Sequence, residues 1–170
     1  KMADQGLIFD RFYAAAPVCS PTRGSVLTGR HPIRIKITNH GRYMRPQEIT
    51  LAEELRDAGY VTGMFGKWHV GSAQKGSPVN PGNSGFDEWV IGLNFFDNNP
   101  YLSRNGTVEQ IKGSGSAITI DETIKFLNRH KDDKKPMFAV AWLPSPHDPH
   151  LEKPANPKRY AGVAGGAYFA

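Results

Sequence analysis

The continuous apolar run Met137-Phe138-Ala139-Val140-Ala141-Trp142-Leu143, introduced by Pro136 and stopped by Pro144, constrains the fold most strongly. It is far shorter than the roughly 20 residues of a membrane-spanning helix, and it lacks the alternation of a half-exposed strand. It reads as a strand buried on both faces, as in a parallel or mixed sheet covered by helices. A second unit agrees with this. Thr50 is a good N-cap for Leu51 to Ala58, whose apolar positions Leu51, Ala52, Leu55 and Ala58 follow the helical period, and Glu53 lies three residues after the cap. Gly59 ends that helix, and Tyr60 to Phe65 reads as a strand stopping at Gly66. Helix, glycine and strand in this order are half of a repeating α/β unit.

A chain of 170 residues, 39% apolar and 11% aromatic, can build one packed core, which argues against a disordered tail. The single cysteine, Cys19, excludes an internal disulfide framework and a multi-cysteine zinc site. No apolar run is long enough to span a membrane.

The remaining chain reads in short pieces. Lys1 to Gln5 looks like the end of a helix stopped by Gly6, with neither an initiator Met nor a signal peptide. Leu7 to Phe9 and Phe12 to Ala14 read as a strand or extended segment. A helix is expected from about Ser20 or Pro21 to Gly29, because proline suits a first turn. Gly41 to Pro46 is a turn-rich loop, Gly71 to Gly85 a long loop, and Phe86 to Phe96 an aromatic stretch without clear period. Asn105-Gly106 predicts a hairpin turn between Tyr101-Leu102 and Thr107-Val108. Thr119 or Asp121 is expected to cap a helix running to His130, and the prolines from Pro144 to Pro157 prevent regular structure.

The net charge of +5 is unevenly placed. From Arg11 to Gln47 there is no Asp or Glu, while Arg11, Arg23, Arg30, Arg34, Lys36, Arg42 and Arg45 give that segment +7; the remainder is slightly acidic. A local excess of this kind fits either an anion site or a solvated basic face.

Three constellations carry chemistry. In Cys19-Ser20-Pro21-Thr22-Arg23 the cysteine falls at a helix N-terminus, where free N–H groups and the helix dipole favour an anion, with Arg23 one turn along. In Gly66-Lys67-Trp68-His69-Val70-Gly71, extended geometry would point Lys67 and His69 to one side and Trp68 away, at the strand edge where open α/β sheets place ligands. In Pro144-Ser145-Pro146-His147-Asp148-Pro149-His150, two imidazoles and a carboxylate follow a core strand; alone they do not define a zinc site. Asp87 and Glu88 read as structural.

These residues support a family resemblance. Phe12 to Val18, followed by Cys19-Ser20-Pro21-Thr22-Arg23 and Leu27-Thr28-Gly29-Arg30, resembles the signature of type I sulfatases, arylsulfatase-like members of the alkaline phosphatase superfamily. Gly59 to Gly71 resembles their second signature without a gap, and His147 matches a proline-flanked sulfate-contacting histidine. The resemblance implies an α/β fold, a partial sulfatase-like sandwich with a mixed, mostly parallel sheet covered by helices. Residues 1–170 would be part of one catalytic domain, lacking its first strand and its C-terminal portion.

The resemblance further implies that a maturation enzyme oxidises Cys19 to formylglycine, whose hydrate attacks sulfur and later collapses to release sulfate. Arg23 would support the nucleophile and Lys67 would hold sulfate oxygens. His69 and His147 would share proton transfer and oxyanion binding, with His150 a further substrate contact. The family's divalent cation, usually calcium, would meet position 19 as formylglycine. Its acidic ligands are expected outside this segment, and Asp4 lies too near Cys19 to be one. The segment alone is therefore expected to be inactive.

The implied partners are a sulfated small molecule or glycan and the formylglycine-generating enzyme, with no nucleic acid and no membrane span. The implied compartment is periplasmic, secreted or lysosomal. Two other functions fit parts of the pattern. One is a formylglycine-dependent phosphonate or phosphodiester hydrolase. The other is a basic nucleic-acid-binding module, which would need phosphate-tracking cations with interleaved stacking aromatics.

Overall fold

Strand β1 (Val61–Lys67) is an interior strand of the sheet, and its side chains alternate between two apolar layers. Met64 faces one layer with Leu27, Ile35, Ile37, Ala52, Trp68 and Phe86; Phe65 faces the other with Val90, Leu102, Ile118 and Phe126. The computed structural model describes residues 1–145 and 147. In chain order these give α1 (Met2–Gln5), α2 (Cys19–Thr28), α3 (Leu51–Asp57), β1, β2 (Glu88–Gly92), β3 (Tyr101–Arg104), β4 (Thr107–Gln110), α4 (Gly115–His130) and β5 (Met137–Trp142). The sheet order is β4-β3-β2-β1-β5. β1 pairs in parallel with β2 and β5, while β3 is antiparallel to β2 and β4, so the sheet is mixed, with its parallel part at the β5 end. Among the described residues no helix is long and apolar enough to cross a membrane.

Local chemistry accounts for most boundaries. Thr50 accepts a hydrogen bond from the Glu53 N–H at 3.1 Å and Glu53 accepts from the Thr50 N–H at 2.8 Å, completing the capping box at α3. Asn105 and Gly106 both have positive φ, as the two-residue turn between β3 and β4 requires. Strand β1 does not stop at Gly66 but continues through it to Lys67. Gly66 has φ +98, and a β-carbon there would overlap the Trp142 carbonyl; only glycine lets β1 and β5 run this closely side by side.

Two expectations are corrected. Helix α4 starts at Gly115 after Ser114, ahead of Thr119 and Asp121, because its buried stripe of Gly115, Ile118, Thr119, Glu122 and Phe126 includes polar members that blur the apolar period. Glu122 is tolerated there since it accepts from Arg104 at 2.6 Å and Lys125 at 2.8 Å. The run Met137–Trp142 is a strand, but it is half-buried rather than covered on both faces, being an edge strand among the described residues. Leu7 to Phe9 and Phe12 to Tyr13 form no strand and are exposed.

At the end of α4, both ring nitrogens of His130 meet carboxylates: Nε2 is 2.7 Å from Glu88 and Nδ1 2.7 Å from Asp133. These hydrogen bonds, that to Glu88 first, raise its pKa above the ordinary 6.5. The protonated ring therefore stabilises the fold fully below pH 6.5, and that contribution is lost as pH rises through the elevated folded value. His130→Gln is expected to remove this alkaline-side decline, measured as the urea midpoint at successive pH values; an unchanged profile would show that the cluster does not titrate with folding.

Candidate functional site

The site forms where α2 begins against the C-terminal ends of β1 and β5. Val18 is an extended N-cap without a capping side chain, so the first turn of α2 presents N–H groups and the positive end of its dipole beside Cys19. Pro21 fits this turn because its missing N–H would have had no helical partner. The Thr22 hydroxyl accepts from the Ala16 N–H at 3.2 Å and donates to the Ala16 carbonyl at 2.9 Å, fixing the approach to Cys19.

Lys67 and His69 do converge on Cys19, though not by simple strand alternation. Trp68 is fully buried and donates to the Val79 carbonyl at 3.2 Å, and His69 adopts φ +55 in the left-handed region. A non-glycine residue there stores roughly 1–3 kcal/mol of strain. That turn places His69 Nδ1 3.0 Å from Cys19 Sγ. Arg23 donates from Nη1 to the Lys67 carbonyl at 2.8 Å, and its guanidinium lies 4.6 Å above the Trp142 ring. Arg23 Nε is buried and has no partner among the described residues.

The electrostatics follow from crowding cations in a half-buried corner. Burial lowers Arg23 to about 10, with the nearby Cys19 opposing. Lys67, only 2% exposed, is lowered by burial first; Cys19 raises it and Arg23 lowers it further. His69 falls to about 4, from burial first and then from Lys67, Arg23, His40 and His147. Near pH 7 its imidazole is neutral and can accept a proton.

His147 is exposed, lies against Phe95 with ring centroids 5.5 Å apart, and is close enough to act on His69. His150 lies outside the described residues. Asp87 accepts from the Thr62 N–H and hydroxyl, and Glu88 pairs with Arg129 and His130; both are structural. The basic segment divides. Arg30 and Arg45 both pair with the buried Glu48, the first residue after the segment, whereas Arg23 enters the site and Arg11, Arg34, Lys36 and Arg42 are exposed. Sequence reasoning missed Ser20, His40 and Trp142. Ser20 lies within the Cys19 to Arg23 constellation and Trp142 within the apolar run, but nothing local marks their hydroxyl or ring as part of the site, and His40 carried no signal.

The sequence model described as Sulfatase matches residues 1–167. The chain belongs to the sulfatase family. The N-acetylgalactosamine-6-sulfatase of Canis lupus familiaris is 42% identical over 102 residues, covering 52% of this chain and 19% of that protein. The ulvan-active sulfatase of Formosa agariphila is 30% identical over 161 residues, 92% of this chain and 32% of its own length. This sulfatase chain thus spans a third or less of those two relatives. A solved protein in complex with k-i-k-neocarrahexaose shares the fold, with a TM-score of 0.82 at 20% identity over 92% of this chain and 41% of that one. Another, solved with its substrate D-glucosamine-2-N,6-O-disulfate, has a TM-score of 0.69 at 28% identity over 82% of this chain and 27% of that one.

Among the described residues of this sulfatase chain, no group of three or more His, Cys, Asp or Glu side chains could hold a metal ion. Arg23, Lys67 and His69 offer nitrogen donors or positive charge where a hard cation such as calcium needs several oxygens. The residues present do not fit calcium.

Proposed function

We propose that this chain carries the nucleophile and the sulfate-binding cations of a sulfuric ester hydrolase acting on a sulfated carbohydrate or aryl sulfate. The supporting observation is the meeting of Cys19 and Arg23 from α2 with Lys67 and His69 from the end of β1, with Cys19 Sγ and His69 Nδ1 3.0 Å apart. Residues 1–170 are on this reading part of one catalytic domain, and the acidic ligands of a divalent cation are expected in that domain outside this segment.

Sulfate ester hydrolysis needs a nucleophile at sulfur, positive charge on the sulfuryl oxygens and a proton for the leaving alcohol. Conversion of Cys19 to formylglycine by a maturation enzyme would supply the first, through the hydroxyl of the hydrated aldehyde. His69, neutral and at hydrogen-bond distance from the Cys19 side chain, takes the proton from the attacking group. Lys67 and Arg23 oppose the negative charge on the sulfuryl oxygens, and the unpartnered Arg23 Nε is a donor still open to them. Burial strengthens each of these interactions. His147, on the exposed side beside Phe95, contacts sulfate and protonates the leaving oxygen, with His150 as a further substrate contact. A carbohydrate sulfate is favoured by two relatives, the ulvan-active sulfatase and the protein solved with D-glucosamine-2-N,6-O-disulfate.

The test is to co-express the full-length protein with a formylglycine-generating enzyme, weigh the tryptic peptide Phe12–Arg23, and compare an aryl sulfate with an aryl phosphate diester. The expected result is an aldehyde at position 19 and preference for the sulfate. Preference for the diester would make the protein a phosphodiester hydrolase instead, and an unmodified thiol in active protein would remove the mechanism.

A further inference from the structure

We propose that Ser20 is a positioning residue that locks His69 in its strained backbone conformation and ties the His40–Gly41 loop to the helix that starts at Cys19. This rests on the sulfatase reading of the site and adds a residue to it. Ser20 is fully buried. Its hydroxyl donates to the His69 carbonyl at 2.6 Å and accepts from the Gly41 N–H at 3.0 Å, across 49 and 21 residues of sequence. A hydroxyl has one proton to donate and two lone pairs to accept with. Giving the proton to His69 leaves a lone pair directed at Gly41, so the two contacts are compatible and define the hydroxyl's orientation.

The consequence falls on His69. A left-handed φ of +55 at a residue with a side chain persists only where its surroundings enforce it. Trp68, fully buried, fixes the residue before it, and the Ser20 hydroxyl fixes the peptide after it through the carbonyl. Because Ser20 adjoins Cys19 on the first turn of α2, the same residue sets the spacing between the nucleophile's backbone and the imidazole. His40, next to Gly41, lies close enough to His69 to lower its pKa, and the Gly41 bond to Ser20 anchors its loop there. Without the hydroxyl, the His69 carbonyl and Gly41 N–H lose their buried partner, and the strained peptide is free to relax.

The test uses the full-length protein matured at position 19, with Ser20→Ala, Ser20→Thr and Ser20→Val compared per mole of aldehyde, so that poorer maturation does not count as lost catalysis. Thr and Val have nearly the same shape and differ in the hydroxyl; Ala avoids added bulk. Ser20→Ala and Ser20→Val are expected to lose about 100-fold in kcat, the scale of a misplacement near 1 Å, with KM little changed. Ser20→Thr should restore most of the difference from Ser20→Val. A crystal structure of Ser20→Ala should show residue 69 outside the left-handed region, or its imidazole beyond hydrogen-bond distance of position 19. Unchanged kcat in Ser20→Ala, or equal losses in the Thr and Val variants, would overturn the proposal. If the matured parent hydrolyses no sulfate ester, the sulfatase reading fails, and the conformation of residue 69 in Ser20→Ala alone then supports or overturns the positioning role.

Discussion

Cys19→Ala in the full-length protein is expected to lower kcat/KM for an aryl sulfate by at least about 10⁴-fold, with a thermal midpoint within a few degrees of the parent. The loss is large because the described side chains beside Cys19 have other roles: Arg23 and Lys67 are cations, Ser20 has its hydroxyl committed to His69 and Gly41, and His69 serves proton transfer. Removing a proton-transfer group costs less, about 10²–10⁴-fold, so His69→Ala should retain more activity than Cys19→Ala. Folding should hardly notice, because Cys19 is only half-buried, its Sγ contact is with a site residue, and alanine is the better helix former. Measured turnover of Cys19→Ala within 10-fold of the parent would show that the reacting group lies elsewhere.

How much of this was readable beforehand follows from the range over which each cause acts. The start of α2, at Cys19 and one residue ahead of the expected Ser20 or Pro21, the capping box at Thr50, and the hairpin at Asn105-Gly106 depend on residues a few positions apart, and their chemistry is local. The sulfatase signatures brought Cys19, Arg23, Lys67 and His69 forward for the same reason. How they meet was not readable. The sequence reading put Lys67 and His69 on one side of an extended strand, whereas a left-handed turn at His69 delivers the imidazole, enforced by Trp68 packing and by Ser20 across 49 residues. No local pattern encodes a hydrogen bond at that separation. Charge counting had a similar blind spot. The run of cations from Arg11 to Gln47 fitted either an anion site or a solvated face, and Glu48, a single residue beyond it, takes Arg30 and Arg45.

That division bears on the competing binding functions. A nucleic-acid surface uses many exposed cations spaced to follow phosphates. Here two of the seven are tied to a buried carboxylate, and Arg23 is sunk against Trp142 with its guanidinium held by the Lys67 carbonyl. Arg11, Arg34, Lys36 and Arg42 are exposed, but the cations that meet beside Cys19, Arg23 and Lys67, are half-buried or buried and close together, an arrangement that suits a compact tetrahedral anion.

Lys67→Met separates function from stability and should move them in opposite directions. Lys67 is 2% exposed, and among the described residues its charge meets no carboxylate; its neighbours are Cys19 and the cation of Arg23. Burying an ammonium so is unfavourable, as its lowered pKa shows, and an unbranched apolar chain of similar length removes the penalty. The variant's unfolding free energy is expected to be unchanged or higher by up to about 2 kcal/mol, while kcat/KM on an aryl sulfate falls by about 10²–10³-fold as one cation on the sulfuryl oxygens is lost. A second readout ties the effect to this site. Lys67 is the largest cause after burial of the depression of His69 to about 4, so its removal should raise the His69 pKa toward the ordinary 6.5, seen in an NMR titration of the imidazole. In the parent, neutral His69 contributes stability that is complete above pH 6.5 and lost as pH falls toward 4; in the variant that acid-side loss should shrink. Lost activity together with lost stability would mean that Lys67 is a packing residue. Lost activity with stability kept, and with a raised His69 pKa, is the signature of a charge held out of water for its action on an anion.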